Sequence, residues 1–244
     1  MRLRTFSSRN FQEMLRDRPN LVFGIGFPLL ILVLLSVIQS HVPVELFELS
    51  KLAPGAAVFG LSFLSLFSGM LIAKDRSTAL LLRLFSSPMR ASDFILGYTL
   101  PMLPLAVLQS LICLLVSLSL GLPWTPRIFL VLLVSLPADI LYIGIGLLVG
   151  SLLNDRQVGG LCGALLTNVT AWLSGIWFDL SLLGNTFEKI TRALPFANAV
   201  DASRAVLAGD YAAIGKPIAI VSIYAVVIFD LAVIVFHNNM SKGQ

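Results

Sequence analysis

Residues 128–153 read IFLVLLVSLPADILYIGIGLLVGSLL, with a single charged side chain, that of Asp139. A helix rises about 1.5 Å per residue, so this run exceeds the roughly 20 residues that cross the hydrocarbon core of a bilayer. Comparable apolar runs lie at 21–38, 53–73, 98–120, 158–178 and 217–236. Backbone groups in lipid must find hydrogen-bond partners within the protein, so the pattern predicts an all-α integral membrane protein with six transmembrane helices.

The composition also favours lipid as the main solvent. Of the 244 residues, 57% are hydrophobic and only 12% are charged, and the mean hydropathy is +0.91. Soluble domains carry about 25% charged residues. We interpret residues 1–244 as one membrane domain. Cys113 and Cys162 lie at different depths in separate runs, so we expect two free thiols.

Lysine and arginine are distributed unevenly between the two sets of loops. Six spans put both termini on one side, and the segments on that side hold Arg2, Arg4, Arg9, Arg16, Arg18, Lys74, Arg76, Arg83, Arg90, Arg156 and Lys242. The segments on the other side hold Lys51, Arg127, Lys189, Arg192, Arg204 and Lys216. The positive-inside rule therefore predicts a multi-pass protein of the cell (plasma or inner) membrane with both termini cytosolic.

Two segments outside the spans carry helical patterns. In residues 1–20, Phe11, Met14 and Leu15 share one face, which predicts an interfacial helix that ends at Pro19. Residues 179–216 contain apolar stretches too short to span, which predicts short external helices before the last span. A re-entrant course of these helices is left open.

No catalytic or nucleotide-binding pattern is present in the sequence. Gly215-Lys216 is followed by Pro217 and has Asp210 in the place of the first glycine of a phosphate loop. The two histidines, His41 and His237, flank spans at opposite faces, which excludes a shared metal site or a Ser-His pair. We predict no catalytic residue, no metal and no cofactor in this chain, and no nucleic-acid partner.

The loop between the second and third spans has the pattern of a docking helix. Ser77 can cap its start, four apolar residues share one face and Pro88 ends it, the four being Leu80, Leu81, Leu84 and Phe85. Arg83 projects elsewhere. An apolar face outside the bilayer meets either lipid headgroups or a groove on a protein partner, and helix-in-groove binding uses this spacing.

Two stretches, taken in order, resemble the permease subunits of type-2 ABC exporters. The first contains Asp75, Ser87-Pro88, Asp93 and Leu96-Gly97; the second contains Ser174-Gly175, Leu194-Pro195, Asp201 and Arg204. The sequence departs from the family pattern where Ala79-Leu80 replaces Gly-Thr, where Leu82 replaces an acidic residue and where Leu194 replaces Asn. With the six-span plan, the resemblance covers nearly the whole chain.

The resemblance implies a transmembrane permease of an ATP-driven exporter, built from two permeases, identical or different, and two ABC ATPase subunits. ATP and Mg would be bound by the ATPase subunits. The implied substrate is a hydrophobic or amphiphilic molecule, such as a drug (multidrug efflux), a lipid-like compound or a small peptide; polysaccharide or teichoic-acid export is the alternative within the family. From other classes, an ion-coupled carrier or a non-transporting scaffold stays open, although no half-repeats with broken helices are visible.

The resemblance also implies roles for individual residues. Coupling to the ATPase falls to Asp75, Leu80, Leu81, Arg83, Leu84, Phe85, Ser87 and Pro88. Small and polar residues recur at helical spacing in the second and fifth runs, which predicts either close helix packing or a substrate path and dimer interface. These residues are Ser62, Ser65, Gly69, Gly163, Thr167, Asn168, Thr170 and Ser174. Asp139 and Asp230 are intramembrane acids. A functional role is predicted for Asp139, whereas Asp230 lies close enough to the cytosolic end to reach interfacial water.

Overall fold

The computed structural model describes residues 2–42, 47–78, 89–177 and 180–242, and these residues form helices and no strand. The helices are α1 (Arg2–Arg16), α2 (Arg18–His41), α3 (Leu49–Ser77), α4 (Ala91–Ser119), α5 (Arg127–Leu152), α6 (Asp155–Val158), a π-helix (Gly159–Leu166), α7 (Thr167–Leu173), a 3-10 turn (Leu180–Leu183), α8 (Asn185–Ala193), α9 (Pro195–Ala208), a second 3-10 turn (Tyr211–Ala213) and α10 (Gly215–Lys242).

Five helical stretches are long and apolar enough to cross a membrane. They are Arg18–His41, Leu49–Ser77, Ala91–Ser119, Arg127–Leu152 and Tyr211–Met240. Each contains one of the predicted apolar runs, except that the third and fourth predicted runs extend one residue past their helices. The all-helical membrane architecture is therefore confirmed for five of the six runs.

The remaining run, 158–178, is helical as far as Leu173 but is not one α-helix. Three segments (α6, the π-helix and α7) follow one another without a gap from Asp155 to Leu173. Thr167 Oγ1 donates a hydrogen bond to the carbonyl of Cys162, five residues earlier, at 3.1 Å. Glycines at 159, 160 and 163 weaken the preference for a regular α-helix. Whether this stretch spans the bilayer, and hence the six-span arrangement, stays a prediction.

The helix α3 lies at the centre of the bundle. In the most apolar 18-residue segment of α3, 83% of the residues are buried. The corresponding segments of α2 and of the stretch that contains α10 have 22% and 17% buried. Between its two ends, the exposed side chains of α2 are apolar, among them Val22, Phe23, Leu30 and Leu34. Because water disfavours such a surface, α2 and α10 are expected to face lipid.

The helix α1 and the last turns of α10 lie at the same end of the bundle, which we call the base, because Phe6 of α1 and Phe236 of α10 both contact Phe94. The rings of Phe94 in α4 and Phe236 in α10 are 5.4 Å apart. Asn239 Nδ2 in α10 donates to the carbonyl of Ser151 in α5 at 2.7 Å. Which side of the membrane the base faces stays a prediction.

The short helices agree partly with the predicted segments. Asp17 separates α1 from α2 and caps α2 by accepting a hydrogen bond from the backbone of Asn20 at 3.4 Å. Phe11 and Leu15 of α1 are exposed, whereas Met14, predicted on the same lipid-facing strip, is buried against the protein. The helices α8 and α9 precede α10, and most of α9 is buried. Interfacial and re-entrant placements stay predictions.

Candidate functional site

A buried carboxylate at the base joins three helices. Asp75, near the end of α3, is only 2% exposed. Its carboxylate accepts hydrogen bonds from Arg9 Nη1 at 2.6 Å and Nη2 at 2.9 Å, and from the hydroxyl of Tyr98 at 2.8 Å. A bidentate guanidinium contact is stronger and better oriented than a single hydrogen bond. Asp75 therefore fixes α1 and α4 to the last turns of α3.

Further contacts hold α1 in the same position. Asn10 Nδ2 donates to the carbonyl of Gly97 at 3.1 Å, and the Phe6 ring meets the Tyr98 ring edge-on at 5.1 Å. A Cβ at Gly97 would collide with the Phe6 ring, so glycine provides the room for this packing. Partial burial lowers the pKa of Arg9, but the hydrogen bond from Arg9 to Asp75 and the nearby negative charges outweigh it and raise that pKa above its usual value.

The next residue, Arg76, fixes a fourth helix. Its Nη1 donates to the carbonyls of Gly150 at 2.8 Å and Leu153 at 3.3 Å, at the carboxyl end of α5. Carbonyls at a helix end have no partner within the helix, and a cation satisfies them well. The pair Asp75-Arg76 thus connects the end of α3 to α1, α4 and α5, directly before the predicted docking segment.

The predicted docking residues themselves lie outside the described residues. These are Leu80, Leu81, Arg83, Leu84, Phe85, Ser87 and Pro88. Of the predicted coupling set, the structure describes Asp75 only. Sequence reasoning missed Arg9, Arg76 and Tyr98, which appeared there only as loop charges or as part of an apolar run. A buried acid at the end of a span is expected to pair with a cation. That this cation is Arg9 follows only from the fold.

Two of the three predicted small residues of α3, Ser65 and Gly69, lie against α5 of the same chain. Ser68 Oγ donates to the carbonyl of Ile143 at 3.1 Å, across the two helices. A Cβ at Gly146 or Gly150 would fall on the carbonyl of Ser65 or Gly69, respectively, so the two backbones approach closely. Ser62, Ser65 and Gly69 are buried here. Their place at a path or between two permeases stays a prediction.

The predicted residues of the fifth run divide into buried and exposed positions. Thr170 is buried and its Oγ1 lies 3.0 Å from the Tyr142 hydroxyl, and Ser174 is also buried. Gly163 and Thr167 are half-buried, and Gly163 faces Leu66. Asn168 is exposed and its Nδ2 donates to the carbonyl of Ala164 at 2.8 Å.

An exposed face of small and polar residues runs along this stretch. Its members recur every four residues and are Gly160, Ala164 and Asn168. Apart from the local backbone, no atom of the described residues lies within 4 Å of a Cβ placed at Gly160. Lipid gives an amide such as that of Asn168 little compensation for its lost hydration. We call Gly160, Ala164 and Asn168 the small-residue face.

Comparison with known families assigns the chain. Residues 1–208, from α1 to the end of α9, match the profile of the family described as ABC-2 type transporter. The chain belongs to this family. No curated protein matches it. The ABC-2 family consists of multi-pass transport permeases without a catalytic domain, and such permeases work with an ABC ATPase.

Among the residues that the structure describes, the acid in the middle of α5 is the least satisfied buried polar group of this ABC-2 permease. Asp139 follows Pro137 by two residues and is fully buried. Neither carboxylate oxygen has a hydrogen-bond partner in the part of the chain that the structure describes. An ionised carboxylate at mid-membrane costs at least about 3 kcal/mol. Asp230, by contrast, is exposed on α10.

We expect Asp139→Asn to leave the fold intact and to change transport. Asparagine keeps the shape of the side chain and removes its proton equilibrium, so the pH dependence of transport should flatten while expression and thermal unfolding stay close to wild type. The measurement is substrate transport in vesicles across pH, with Asp230→Asn as the matched control. Transport with an unchanged pH profile would show that Asp139 has no functional role.

Proposed function

We propose that this ABC-2 type permease is the membrane half of an ATP-driven exporter that moves a hydrophobic or amphiphilic molecule out of the cytosol. The observation that carries the proposal is the Asp75-Arg76 pair, which connects the end of α3 to α1, α4 and α5. Residues 77–88 follow this pair and have the pattern of a docking helix. A partner that moves this segment would therefore act on four helices at once.

Two copies of the permease and two ATPase subunits form the proposed assembly. ATP and Mg are bound by the ATPase subunits, and the base, with both termini, faces the cytosol. The number of lysines and arginines in the segments at that end supports this orientation. Each permease has six spans in this assembly, with 155–173 as the fifth membrane helix.

The first test removes the central docking anchors. Leu84→Ala with Phe85→Ala should lose about 3 kcal/mol of docking free energy, roughly a hundredfold in affinity, because such anchors contribute most of a helix-in-groove contact. The measurements are co-purification of the ATPase and ATP-dependent uptake of an amphiphilic dye by inside-out vesicles.

The control for this test is Leu182→Ala with Phe187→Ala, two exposed apolar residues of the segment that precedes α9. That variant should keep ATPase binding and uptake. Full docking and full uptake by the Leu84/Phe85 variant would contradict the assignment of residues 77–88. Uptake driven by an ion gradient in vesicles that lack the ATPase would instead identify a carrier.

The small-residue face supports a contact with a second permease. Small side chains permit close approach of helices, and a partner could offer Asn168 a hydrogen bond that lipid cannot. Gly160→Leu should therefore weaken dimerisation markedly and leave the isolated chain folded, because its own chain leaves the position open.

Gly26 of α2 provides the matched control for Gly160, since no atom lies within 4 Å of a Cβ placed there either. Gly26→Leu should leave the oligomeric state unchanged. The measurement is cross-linking and light scattering in detergent. Equal dimer fractions in Gly160→Leu and wild type would show that the small-residue face is not part of the dimer interface.

A further inference from the structure

A cavity of about 740 Å³ opens at the base between α1, α2 and α3. Its volume lies within the roughly 300–1,000 Å³ that small-molecule sites occupy. The cavity is separate from the small-residue face and from the Asp139 region. We call it the base cavity.

The floor of the base cavity is apolar. It is formed by Phe67, Met70 and Leu71 of α3, together with Met102 of α4 and Leu21 of α2. Methionine side chains are flexible and polarisable, so they adapt to apolar ligands of varied shape. A floor of this kind accepts a hydrocarbon chain.

The mouth of the base cavity carries charges of both signs. Its cations are Arg9, Arg16 and Lys74, and its acids are Glu13, Asp17 and Asp155. Several of these groups are already engaged. Arg9 is paired with Asp75 and Glu13, and Asp17 caps α2.

Three charged groups stay available to a ligand. Arg16 has no hydrogen bond or ion pair with any described residue. Lys74 is largely exposed, and its salt bridge with Glu13 is a long one, at 3.7 Å, which a ligand can replace. The carboxylate of Asp155 accepts a hydrogen bond from the neighbouring backbone of Arg156 at 3.0 Å and from no other group among the described residues. Two cations and one acid therefore surround the entrance.

We propose that the base cavity binds a zwitterionic single-chain phospholipid from the adjacent leaflet. Its hydrocarbon chain lies on the methionine-rich floor, its phosphate is held by Arg16 and Lys74, and its ammonium group lies at Asp155. The pairing of an apolar floor with a mouth of mixed charge selects an amphiphile that carries both signs. Such a site goes beyond the export function, since it is occupied whether or not its ligand is transported.

The test uses the purified full-length permease in an uncharged maltoside detergent. A photoreactive lysophosphatidylethanolamine with a diazirine on its chain should label the floor residues of α3 and α4. Unlabelled lysophosphatidylethanolamine should compete with the probe better than lysophosphatidylglycerol, which has no ammonium group. Arg16→Gln with Lys74→Gln should weaken probe binding about tenfold or more, because each charged contact to phosphate is strong.

Two further variants complete the test. Arg18→Gln removes a neighbouring cation that does not line the cavity and should bind the probe as wild type does. Met70→Trp should fill the floor and abolish labelling. Labelling spread evenly over the exposed faces of α2 and α10, or unchanged affinity in the Arg16/Lys74 variant, would overturn the proposal. Equal competition by the phosphoglycerol lipid would overturn the assignment of Asp155.

Discussion

Replacing Gly150 with valine is expected to destabilise the bundle severely. A Cβ at this position would overlap the carbonyl of Gly69 and meet the Ile72 side chain. A backbone carbonyl in the central helix cannot rotate away as a flexible side chain can. Overpacking typically costs about 1–3 kcal/mol and occasionally more, and we expect the upper part of that range.

The measurement for Gly150→Val is thermal unfolding in detergent, followed by tryptophan fluorescence and size-exclusion chromatography. Gly26→Val is the matched control, because it introduces the same side chain into open space on α2. Gly150→Val should lower the melting temperature by many degrees or leave no monodisperse protein on size-exclusion chromatography. Gly26→Val should do neither. Equal melting of the two variants would show that the backbones of α3 and α5 are not in close contact at Gly150.

Asp75→Ala is expected to release α1 from the bundle and to uncouple the permease from its ATPase. The substitution leaves the Tyr98 hydroxyl buried without its acceptor and removes the bidentate partner of Arg9. Hydrogen bonds to charged groups contribute about 1.5–3 kcal/mol each, and the half-exposed guanidinium places this network at the lower end. Trypsin should then cleave α1 at its arginines several times faster than in wild type.

Two companion variants separate the possible causes. Glu13→Gln removes the other acid that pairs with Arg9, at a more exposed position, and should change proteolysis only slightly. Asp75→Asn keeps one acceptor and should be intermediate. Substrate-stimulated ATP hydrolysis should be reduced most in Asp75→Ala, less in Asp75→Asn and least in Glu13→Gln, which is the expected order of α1 proteolysis. If trypsin cleaves Asp75→Ala as slowly as wild type and the substrate still stimulates ATP hydrolysis normally, the hydrogen bonds of Asp75 are dispensable.

Hydropathy alone predicted most of the architecture, because burial in lipid imposes long apolar helices. Five of the six runs became such helices, and the fifth run along the chain, 158–178, became a helix that is π-helical from Gly159 to Leu166. Hydropathy does not depend on whether a backbone amide bonds four or five residues back. The glycine-rich start of the run 158–178 therefore gave no sign that it would form a π-helix. The small residues of α3 did predict close approach, but they could not name α5 of the same chain as their neighbour.

The network at the base could not be predicted for a different reason. Arg9 and Asp75 are 66 residues apart in sequence, and nothing in either local pattern distinguishes Arg9 from Arg4 or Arg16. Asp75 itself could be selected only through the family resemblance. Its burial and its three donors follow from the way α1 crosses the ends of α3 and α4.

The adjacency of Asp75 and Arg76 determines which movement of α3 the base can transmit. Successive residues point about 100° apart around a helix, so the two side chains leave α3 in different directions. Rotation of α3 about its axis would therefore displace the two sets of contacts in different directions. A simple shift along the axis would strain both sets together. If a partner acts on the segment that follows α3, as proposed above, we therefore expect rotation of α3 and sliding of α3 to affect the two sets of contacts differently.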